Sequence, residues 1–313
     1  MASQDRLPSH LRARLRPVHH PGSVIVAKRE KRPAKGTAIV DIHTHLLHNV
    51  DDGPTTVTEA LDLARAFTIQ GCSTVVSTPH LNESYPTSAE VVEERAKELN
   101  EAIERAGLDL ELLTGAEIGL VEAQRRAPDE LRAFALGSSR WLLIEMPHVE
   151  YPFGIEELIG RLRADGYEVM LAHPERNPHC QEDLRVLERA LDAGAVSQVT
   201  GASLRGALGG RVRETAWEMV RCGLVHSIAS DAHDTLRRPP DLGEVRLLLH
   251  DHFGADVAAT LTRGTAEAVL SDARLGEVRS LPVPVRRRRR NLRARLRRAS
   301  LFPSSPRAHR PDR

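Results

Sequence analysis

Residues 38–45 read Ala-Ile-Val-Asp-Ile-His-Thr-His, an apolar run that ends in two histidines separated by one residue. The run Ala38–Ile42 is typical of a buried strand. Alternate residues of a strand point to the same side, so His43 and His45 can share one cation. A strand that delivers metal-binding side chains at its carboxyl end is typical of a (β/α) barrel enzyme.

The same combination of a short apolar run and a longer helical pattern recurs along the chain. Strands are predicted at Ala38–Ile42, Thr74–Ser77, Leu110–Leu113, Trp141–Ile144, Glu168–Leu171, Ser197–Val199 and Val225–Ala229. Helices are predicted at Val57–Gln70, Ala89–Ala106, Ile155–Asp165, Glu182–Ala193, Val212–Cys222, Asp241–His252 and Asp256–Ser271. Five of these helices stop at a glycine, the residue expected just past a helix end: Gly71, Gly107, Gly166, Gly194 and Gly223. The alternation favours an α/β fold with a parallel sheet closed as a (β/α) barrel.

Charge is distributed unevenly along the 313 residues, although the formal net charge is only +1. Residues 1–36 hold nine Lys/Arg and two acidic residues, and residues 286–313 hold twelve Arg and one Asp. The intervening residues 37–285 therefore carry a net charge of −17. We expect residues 1–36 to be a basic disordered extension, residues 37–281 to form the folded domain, and residues 282–313 to be an Arg-rich tail that is disordered or briefly helical.

Cysteine usage and hydropathy bear on the compartment. The three cysteines, Cys72, Cys180 and Cys222, are widely separated and form no CxxC motif. This pattern is typical of a reducing compartment. No uninterrupted apolar stretch reaches the length of about 18 residues that a membrane-spanning helix needs, and no signal-peptide pattern precedes Lys31. The sequence therefore predicts a soluble, cytoplasmic protein.

Potential metal ligands follow six of the seven predicted strands. They are His43 and His45 after the first strand, His80 after the second, Glu117 after the third, Glu145 after the fourth, His173 after the fifth, and Asp231 and His233 after the seventh. A single histidine such as His80 is more often a surface or core residue. Recurrence at strand ends favours a site instead, because the carboxyl ends of barrel strands meet at one rim. Imidazole with carboxylate suits Zn, Mn or Fe better than Mg or Ca, and the number of candidates predicts two or three metals, which activate water and hold phosphoryl oxygens.

Two arginines lie near these ligands in the sequence: Arg176 follows His173 by three residues, and Arg238 follows Asp231 by seven. A guanidinium group binds phosphate in a bidentate manner, through two parallel N–H···O hydrogen bonds. A structural salt bridge remains an open alternative for both arginines, and the sequence does not decide between Arg238 and the adjacent Arg237. The histidines without a strand end are interpreted as surface or structural residues: His19, His20, His48, His148, His179, His226, His250 and His252.

These motifs resemble the polymerase-and-histidinol-phosphatase (PHP) superfamily, specifically its CpsB/YwqE-type bacterial metal-dependent protein-tyrosine phosphatases. The matching segments are Asp41-Ile42-His43-Thr44-His45, Val50-Asp51-Asp52-Gly53-Pro54, Ser77-Thr78-Pro79-His80, Gly115-Ala116-Glu117, Leu143-Ile144-Glu145, Ala172-His173-Pro174-Glu175-Arg176, Ile228-Ala229-Ser230-Asp231-Ala232-His233 and Arg238-Pro239-Pro240. They span nearly all of residues 37–275, and both basic tails lie outside the resemblance. The segment Val50–Pro54 is typical of this subgroup rather than of histidinol phosphatases.

The resemblance implies a distorted seven-stranded barrel with three metals, which are usually assigned as manganese in the family. It implies one metal at His43, His45, Glu117 and Asp231, a second at Glu117, Glu145 and His173, and a third at Asp52, His80 and His233. Asp52 is implied by the resemblance alone, because it lies in a loop seven residues past His45. Asp41 would lie behind the ligands and orient a ligand histidine. Arg176 and Arg238 match the family's phosphate-contacting arginines.

The implied activity is hydrolysis of phosphotyrosine by metal-activated hydroxide attack, without a covalent enzyme intermediate. The implied substrate is a phosphotyrosine protein, namely a bacterial tyrosine kinase that controls capsule or exopolysaccharide synthesis. No cysteine has an arginine at the Cys-x5-Arg spacing, which excludes the cysteine-phosphatase route. The alternatives are a PHP phosphoesterase that acts on a small ester such as histidinol phosphate or a nucleotide, and a scaffold whose basic tails bind an anionic membrane or nucleic acid. We expect no specific nucleic-acid partner.

Overall fold

The computed structural model describes residues 38–274. The predicted basic extension at residues 1–36, the Arg-rich tail at residues 282–313 and the domain boundary at residue 281 all lie outside the described residues. Within residues 38–274, no helix has both the length and the apolar character that crossing a membrane requires.

Every strand ladder in the described part of the chain is parallel, and the strands form two sheets. They are β1 (Ile39–Thr44), β2 (Cys72–Ser77), β3 (His80–Leu81), β4 (Glu111–Thr114), β5 (Glu117–Gly119), β6 (Trp141–Glu145), β7 (Glu168–Ala172), β8 (Ala195–Thr200) and β9 (Ser227–Ala229). One sheet has the order β1-β2-β4, and the other has the order β3-β5-β6-β7-β8-β9. The predicted mixed α/β fold with a parallel sheet is confirmed at this level.

Helices connect these strands. They are α1 (Val57–Ile69), α2 (Ala89–Arg105), α3 (Leu120–Arg125), α4 (Pro128–Leu131), α5 (Ile155–Ala164), α6 (Pro178–Glu182), α7 (Arg185–Asp192), α8 (Gly201–Arg205), α9 (Gly210–Arg221), α10 (Leu242–Phe253), α11 (Ala255–Ala259) and α12 (Thr265–Leu270). Short 3-10 turns cover Arg132–Phe134 and Pro174–Arg176, and a π-helical turn covers Thr260–Gly264. The longest helix, α2, begins where the Ser88 side chain accepts a hydrogen bond from the Val91 amide.

The seven predicted strands are confirmed to within about two residues, and each of the five terminal glycines has a positive φ, as the residue after a helix end requires. The predicted helix over 182–193 was wrong at its start. Asp183 has an extended backbone, and its carboxylate accepts from the Arg185 amide, so α7 begins later. The short strands β3 and β5, each of which begins after a two-residue interruption that follows β2 or β4, were not predicted.

Two apolar clusters lie on opposite sides of the central strands. In β6, Trp141 and Leu143 belong to an inner cluster that also contains Met170. Leu142 and Ile144 belong to the larger cluster packed against the helices. Alternate side chains of a strand point to opposite faces, so these strands are buried on both faces, as parallel strands covered by helices must be.

Backbone hydrogen bonds continue beyond the strand ladders at the carboxyl ends of the strands, and those beside β1 and β9 join the two sheets. Beside β2, the Gly115 amide donates to Ser77 over 2.9 Å. At the other margin, the Asp231 amide donates to His43 over 2.9 Å, and the His45 amide donates to Ala232 over the same distance. The residues that follow β1 and β9 are therefore held side by side, and both segments carry predicted ligands.

Candidate metal centre

All nine predicted metal ligands lie in one cluster near the carboxyl ends of the strands, with His80 and Glu117 just past the ends of β2 and β4 as the first residues of β3 and β5. β1 and the loop after it supply His43, His45 and Asp52, while β3 and β5 supply His80 and Glu117; β6 supplies Glu145, and the segments after β7 and β9 supply His173, Asp231 and His233. Most of these side chains are buried, whereas Asp52 is exposed by 42%. Residues up to 190 positions apart in the sequence therefore meet because parallel strands place their carboxyl ends at one edge.

Glu117 lies at the centre of the cluster and is fully buried. Its Oε2 lies 3.4 Å from Nε2 of both His43 and His45, and 3.0 Å from Nδ1 of His80. Its Oε1 lies 2.6 Å from Nε2 of His173. One carboxylate thus contacts four imidazoles, which is the position that a ligand shared between two cations would occupy.

Asp231 faces the two histidines of β1 from the opposite margin of the fold. Its Oδ1 lies 3.5 Å from His43 Nε2 and 3.3 Å from His45 Nε2. His43, His45 and Asp231 each place a ligand atom within 4.8 Å of the other two. Together with Glu117, they form a compact group of two imidazoles and two carboxylates.

A second group forms around Asp52. Its Oδ1 lies 3.1 Å from His233 Nε2 and 3.5 Å from His80 Nε2. His45 joins these three residues, and all four place a ligand atom within 4.8 Å of one another. The loop residue Asp52 therefore lies beside His80 and His233.

A third group contains Glu145 and His173. Glu145 Oε1 lies 3.9 Å from His173 Nε2, and Glu145 Oε2 lies 3.9 Å from His80 Nδ1. Glu117 belongs to the same neighbourhood, because His43, Glu117 and His173 group together and His80, Glu117 and Glu145 group together. The three groups share residues and form one continuous centre.

The chemistry of these side chains fits bound cations. Both oxygens of Glu117, Nδ1 of His80 and Nε2 of His233 are buried without a hydrogen-bond partner. Their short contacts lack hydrogen-bond geometry, and a buried ionised group without a partner is costly. Atoms gathered in this way can be satisfied by a cation that all of them face.

Residues behind the predicted ligands position the rings of two of the histidines. Asp51 Oδ2 lies 2.6 Å from Nδ1 of His45, and Gln198 Oε1 lies 2.8 Å from Nδ1 of His43. An acceptor at Nδ1 keeps the proton there and leaves Nε2 free to bind a metal. Sequence reasoning missed both roles: Asp51 was noted only as part of a motif, and the sixth strand, which carries Gln198, offered no ligand.

Asp41 acts on the backbone rather than on a histidine ring. Its carboxylate accepts hydrogen bonds from the Ser230 amide at 3.1 and 3.2 Å and from the His43 amide at 3.4 Å. Burial raises the pKa of Asp41 to about 6. Asp41 therefore ties the end of β1 to the segment that precedes Asp231.

Two of the predicted ligands have an unusual backbone conformation. His173 has a φ of 30° and Asp231 a φ of 54°, in the left-handed region that non-glycine residues seldom adopt. Such conformations persist where the surrounding structure holds them, and they concentrate at functional sites. Each one ends the extended course of its strand and turns the side chain towards the cluster.

Electrostatics keep the central carboxylates ionised. Burial would raise the pKa of Glu117, but His43 and His173 lower it well below its usual value. Burial would likewise raise the pKa of Asp231, but His43 and the other neighbouring cationic groups lower it well below its usual value. In His43 the same pairing overcomes burial and raises the pKa of the ring. A cation therefore competes with protons for these ligands.

Arg176 and Arg238 meet at one oxygen beside the cluster. Arg176 Nη1 donates to Asp231 Oδ2 over 2.8 Å, and Arg238 Nη2 donates to the same atom over 2.6 Å. Both side chains remain partly exposed, at 23% and 32%. Arg237 is exposed, and its amide donates to Asp234 instead. Each of the two partly exposed guanidinium groups therefore uses one nitrogen to bind Asp231 and has further N–H donors that could bind a phosphate.

The structure adds one histidine that the sequence did not single out as a site residue. His148 Nε2 lies 3.0 Å from Glu145 Oε1, and its ring stacks on that of His173. By contrast, His226 has the predicted structural role, since its ring accepts from the Ser197 amide and burial lowers its pKa to about 4. His148 follows no strand end directly, so its position was not visible in the strand pattern.

A family model described as "Capsular polysaccharide synthesis, CpsB/CapC" matches residues 39–271. The chain belongs to the CpsB/CapC family. This confirms the resemblance drawn from the strand-end motifs. The matched segment contains all nine predicted ligands and both arginines.

Relatives of this CpsB/CapC chain carry phosphatase names. It is 32% identical over 252 residues to the tyrosine-protein phosphatase YwqE of Bacillus subtilis (strain 168), covering 80% of this chain and 98% of the relative. It is 36% identical over 202 residues to the putative tyrosine-protein phosphatase CapC of Staphylococcus aureus, covering 64% of this chain and 79% of the relative. It is 26% identical over 241 residues to the tyrosine-protein phosphatase CpsB of Streptococcus pneumoniae, covering 75% and 99% of the two chains.

Solved structures agree with this placement. The fold matches a chain from the crystal structures of YwqE from Bacillus subtilis and CpsB from Streptococcus pneumoniae, described as unique metal-dependent tyrosine phosphatases. The TM-score is 0.69 at 32% identity, over 75% of this chain and 95% of the other. An amidohydrolase from Mycoplasma synoviae matches with a TM-score of 0.50 at 13% identity, over 76% of this chain and 89% of the other, which is a likeness of fold alone.

Proposed function

We propose that this chain is a metal-dependent protein-tyrosine phosphatase, a phosphoric monoester hydrolase of the CpsB/CapC family. The observation that carries the proposal is the meeting of Arg176 and Arg238 at Asp231, beside a continuous centre of nine metal-binding side chains. Guanidinium pairs bind phosphate, and clustered cations favour phosphoryl transfer. The names of the relatives support phosphotyrosine as the substrate.

We further propose that the strands form a distorted seven-stranded barrel. If β2 with β3 and β4 with β5 are each counted as one interrupted strand, the two sheets together contain seven strands, and neighbouring strands follow one another in chain order. The hydrogen bonds between the segments after β1 and β9 support closure of the ring. Closure explains why ligands from the first and last strands can share a cation.

Three metals are proposed, with the ligand sets that the family resemblance implied; their proximity in one continuous centre supports them. The first would be held by His43, His45, Glu117 and Asp231, the second by Glu117, Glu145 and His173, and the third by Asp52, His80 and His233. The mixture of imidazole and carboxylate suits manganese, iron or zinc, and the family resemblance favours manganese among them.

The protein's own residues would carry the remaining parts of the reaction. When bound, the metals would supply an activated water and positive charge at the phosphoryl oxygens. Arg176 and Arg238 would bind the outer phosphoryl oxygens and tighten as negative charge accumulates there. Asp51 and Gln198 would hold the rings of His45 and His43 in the metal-binding tautomer.

A cysteine nucleophile has no support. Cys72 and Cys180 are buried, and burial raises the pKa of both thiols, that of Cys180 to about 12. Cys222 ends α9, just before β9 begins, and so lies at the opposite end of the strand from the metal ligands. Hydrolysis would therefore proceed by direct attack of water, without a phosphorylated enzyme.

The physiological substrate is proposed to be a phosphotyrosine protein in capsule or exopolysaccharide synthesis, namely a bacterial tyrosine kinase in the cytoplasm. The family's description supports the capsular context. We propose that the net positive charge of residues 1–36 and 286–313 attracts the chain to an anionic membrane. Deleting residues 286–313 should weaken co-sedimentation with vesicles that contain phosphatidylserine, and unchanged binding would refute a role for that segment.

Activity measurements on manganese-loaded protein test the proposed function. Phosphotyrosine peptide should be hydrolysed faster than histidinol phosphate or a nucleotide, and a chelator should abolish turnover. His45→Ala and Asp231→Asn should each abolish turnover while the circular dichroism spectrum stays folded. Preferential hydrolysis of histidinol phosphate would refute phosphotyrosine as the substrate class. Activity that survives both the chelator and the two substitutions would refute the metal-dependent mechanism.

A further inference from the structure

His148 presents an aromatic surface at the mouth of the metal centre. It lies between β6 and α5, and its ring stacks on His173 with centroids 5.7 Å apart and planes 13° apart. Its Nε2 lies 3.0 Å from Glu145 Oε1. Because the side chain is 51% exposed, much of the ring surface away from the ligands is open to solvent.

Tyr85 presents a second aromatic surface. It follows β3, and its ring stacks on His80 with centroids 5.5 Å apart and planes 15° apart. A tight turn fixes its backbone: the Tyr85 amide donates to the Asn82 side chain over 3.0 Å, and the Asn82 amide donates to the Tyr85 carbonyl over 3.2 Å. The ring is partly exposed and is held in position before any substrate arrives.

The two surfaces flank the same pair of carboxylates. His80 and His173, on which the two rings stack, contact opposite oxygens of Glu117 at 3.0 and 2.6 Å. Both also lie 3.9 Å from Glu145. Among residues 38–274, Tyr85 and His148 are the two aromatic residues outside the proposed ligand set whose rings stack on a proposed ligand.

Because most of the candidate ligands are buried, a phosphate ester bound at this centre would have to direct its organic group towards solvent, where Tyr85 and His148 are partly exposed. A phenyl group has flat faces that stack on aromatic rings, whereas the alkyl chain of phosphoserine has none. We propose that Tyr85 and His148 are specificity-determining residues that form two walls for the substrate's phenyl ring and select aryl over alkyl phosphate esters. This inference rests on the proposed phosphatase function and adds the residues that recognise the leaving group.

The proposal is tested by measuring kcat/KM on manganese-loaded protein with two peptides of the same sequence, one carrying phosphotyrosine and the other phosphoserine. The intrinsic reactivities of the two esters cancel when each variant's ratio of kcat/KM values is compared with that of the wild type. Tyr85→Leu and His148→Leu should each lower the preference for phosphotyrosine by about threefold to tenfold. Tyr85→Phe and His148→Phe should keep the preference, although His148→Phe loses the contact with Glu145 and should be slower on both esters.

Phe153→Leu is the matched control. Phe153 lies in the same loop as His148 and is 75% exposed, but its ring packs on Tyr151 with centroids 4.8 Å apart. The Phe153→Leu variant should have the same ratio of kcat/KM values for the phosphotyrosine and phosphoserine peptides as the wild type. The proposal is overturned if both leucine variants keep the wild-type ratio, or if they lose activity equally on the two peptides, since equal loss is the mark of a purely structural role.

Binding of non-hydrolysable ligands separates failure of this inference from failure of the proposed function. The manganese-loaded protein should bind phenylphosphonate more tightly than methylphosphonate in isothermal titration calorimetry. Tyr85→Leu and His148→Leu should narrow that difference by a similar factor, independently of turnover. Equal affinities for the two phosphonates in the wild type would refute the aromatic walls even if phosphotyrosine is hydrolysed. A phenyl preference without turnover would instead refute the phosphatase function.

Discussion

Replacing Asp51 by asparagine should weaken metal binding while preserving the fold. Asp51 Oδ2 lies 2.6 Å from Nδ1 of His45, and the carboxylate also accepts from the amides of Gly53 and His80, each over 3.0 Å. Burial would raise the pKa of Asp51, but His45 lowers it below its usual value, so the group is ionised. One buried charge thus organises two proposed ligands.

The size of the effect depends on which way the new amide faces. If its oxygen faces His45, the ring keeps its tautomer but loses a charged acceptor, and affinity should fall about tenfold, the low end for such partners. If its nitrogen faces His45, the ring must carry its proton on Nε2, where the metal would bind. Affinity should then fall about a hundredfold, or about 2.8 kcal/mol.

Calorimetric titration of the metal-free protein with manganese measures this change. Asp183→Asn is a suitable control, because Asp183 also accepts from a backbone amide, that of Arg185, but contacts none of the proposed ligands. The control should bind manganese with wild-type affinity. If Asp51→Asn also has wild-type affinity and an unchanged melting temperature, Asp51 does not orient His45.

Three further outcomes follow from other contacts. Arg176→Ala or Arg238→Ala should lower kcat/KM for phosphotyrosine peptide by about 10²–10³ with metal content unchanged; an unaltered rate would remove that arginine from phosphate binding. Gln198→Leu removes the acceptor 2.8 Å from His43 Nδ1 and should weaken manganese binding by about tenfold in the same calorimetric titration, and an unaltered affinity would contradict that role. Burial raises the pKa of Asp241 to about 7, so the unfolded chain releases that proton first and the wild-type free energy of unfolding should fall between about pH 4 and 7. Asp241→Asn should lack this loss, which amounts to about 3 kcal/mol between pH 5 and pH 8 in urea unfolding. Parallel pH profiles of the variant and the wild type would contradict the raised pKa of Asp241.

The helices and strands were largely predictable because their signals are local. Apolar runs bounded by glycine or proline marked the buried strands, and a glycine after each of five helices marked the ends. The start of α7 was mispredicted because the extended backbone at Asp183 interrupts an otherwise helical pattern. The short strands β3 and β5 escaped prediction because two and three residues are too few to show a period.

The candidate ligands were predictable for a related reason. A parallel α/β fold brings the carboxyl ends of its strands together, so a side chain such as His173 can be assigned to the rim from its position in the sequence. Asp52 could not be assigned in this way, because it lies in a loop, and only the resemblance to a family pointed to it. Its contact with His233, 3.1 Å away, depends on how that loop folds back.

The sequence by itself determined most of the strands, the family and which candidate side chains follow strand ends, since each depends on motifs of a few neighbouring positions. Only the tertiary structure decided which residues serve those ligands. His43 is held by Gln198, 155 positions away, and His148 lies on His173 although nothing in the strand pattern connects them. These roles depend on contacts between residues that are distant in the sequence. A local sequence pattern does not determine which distant side chain packs beside a given residue.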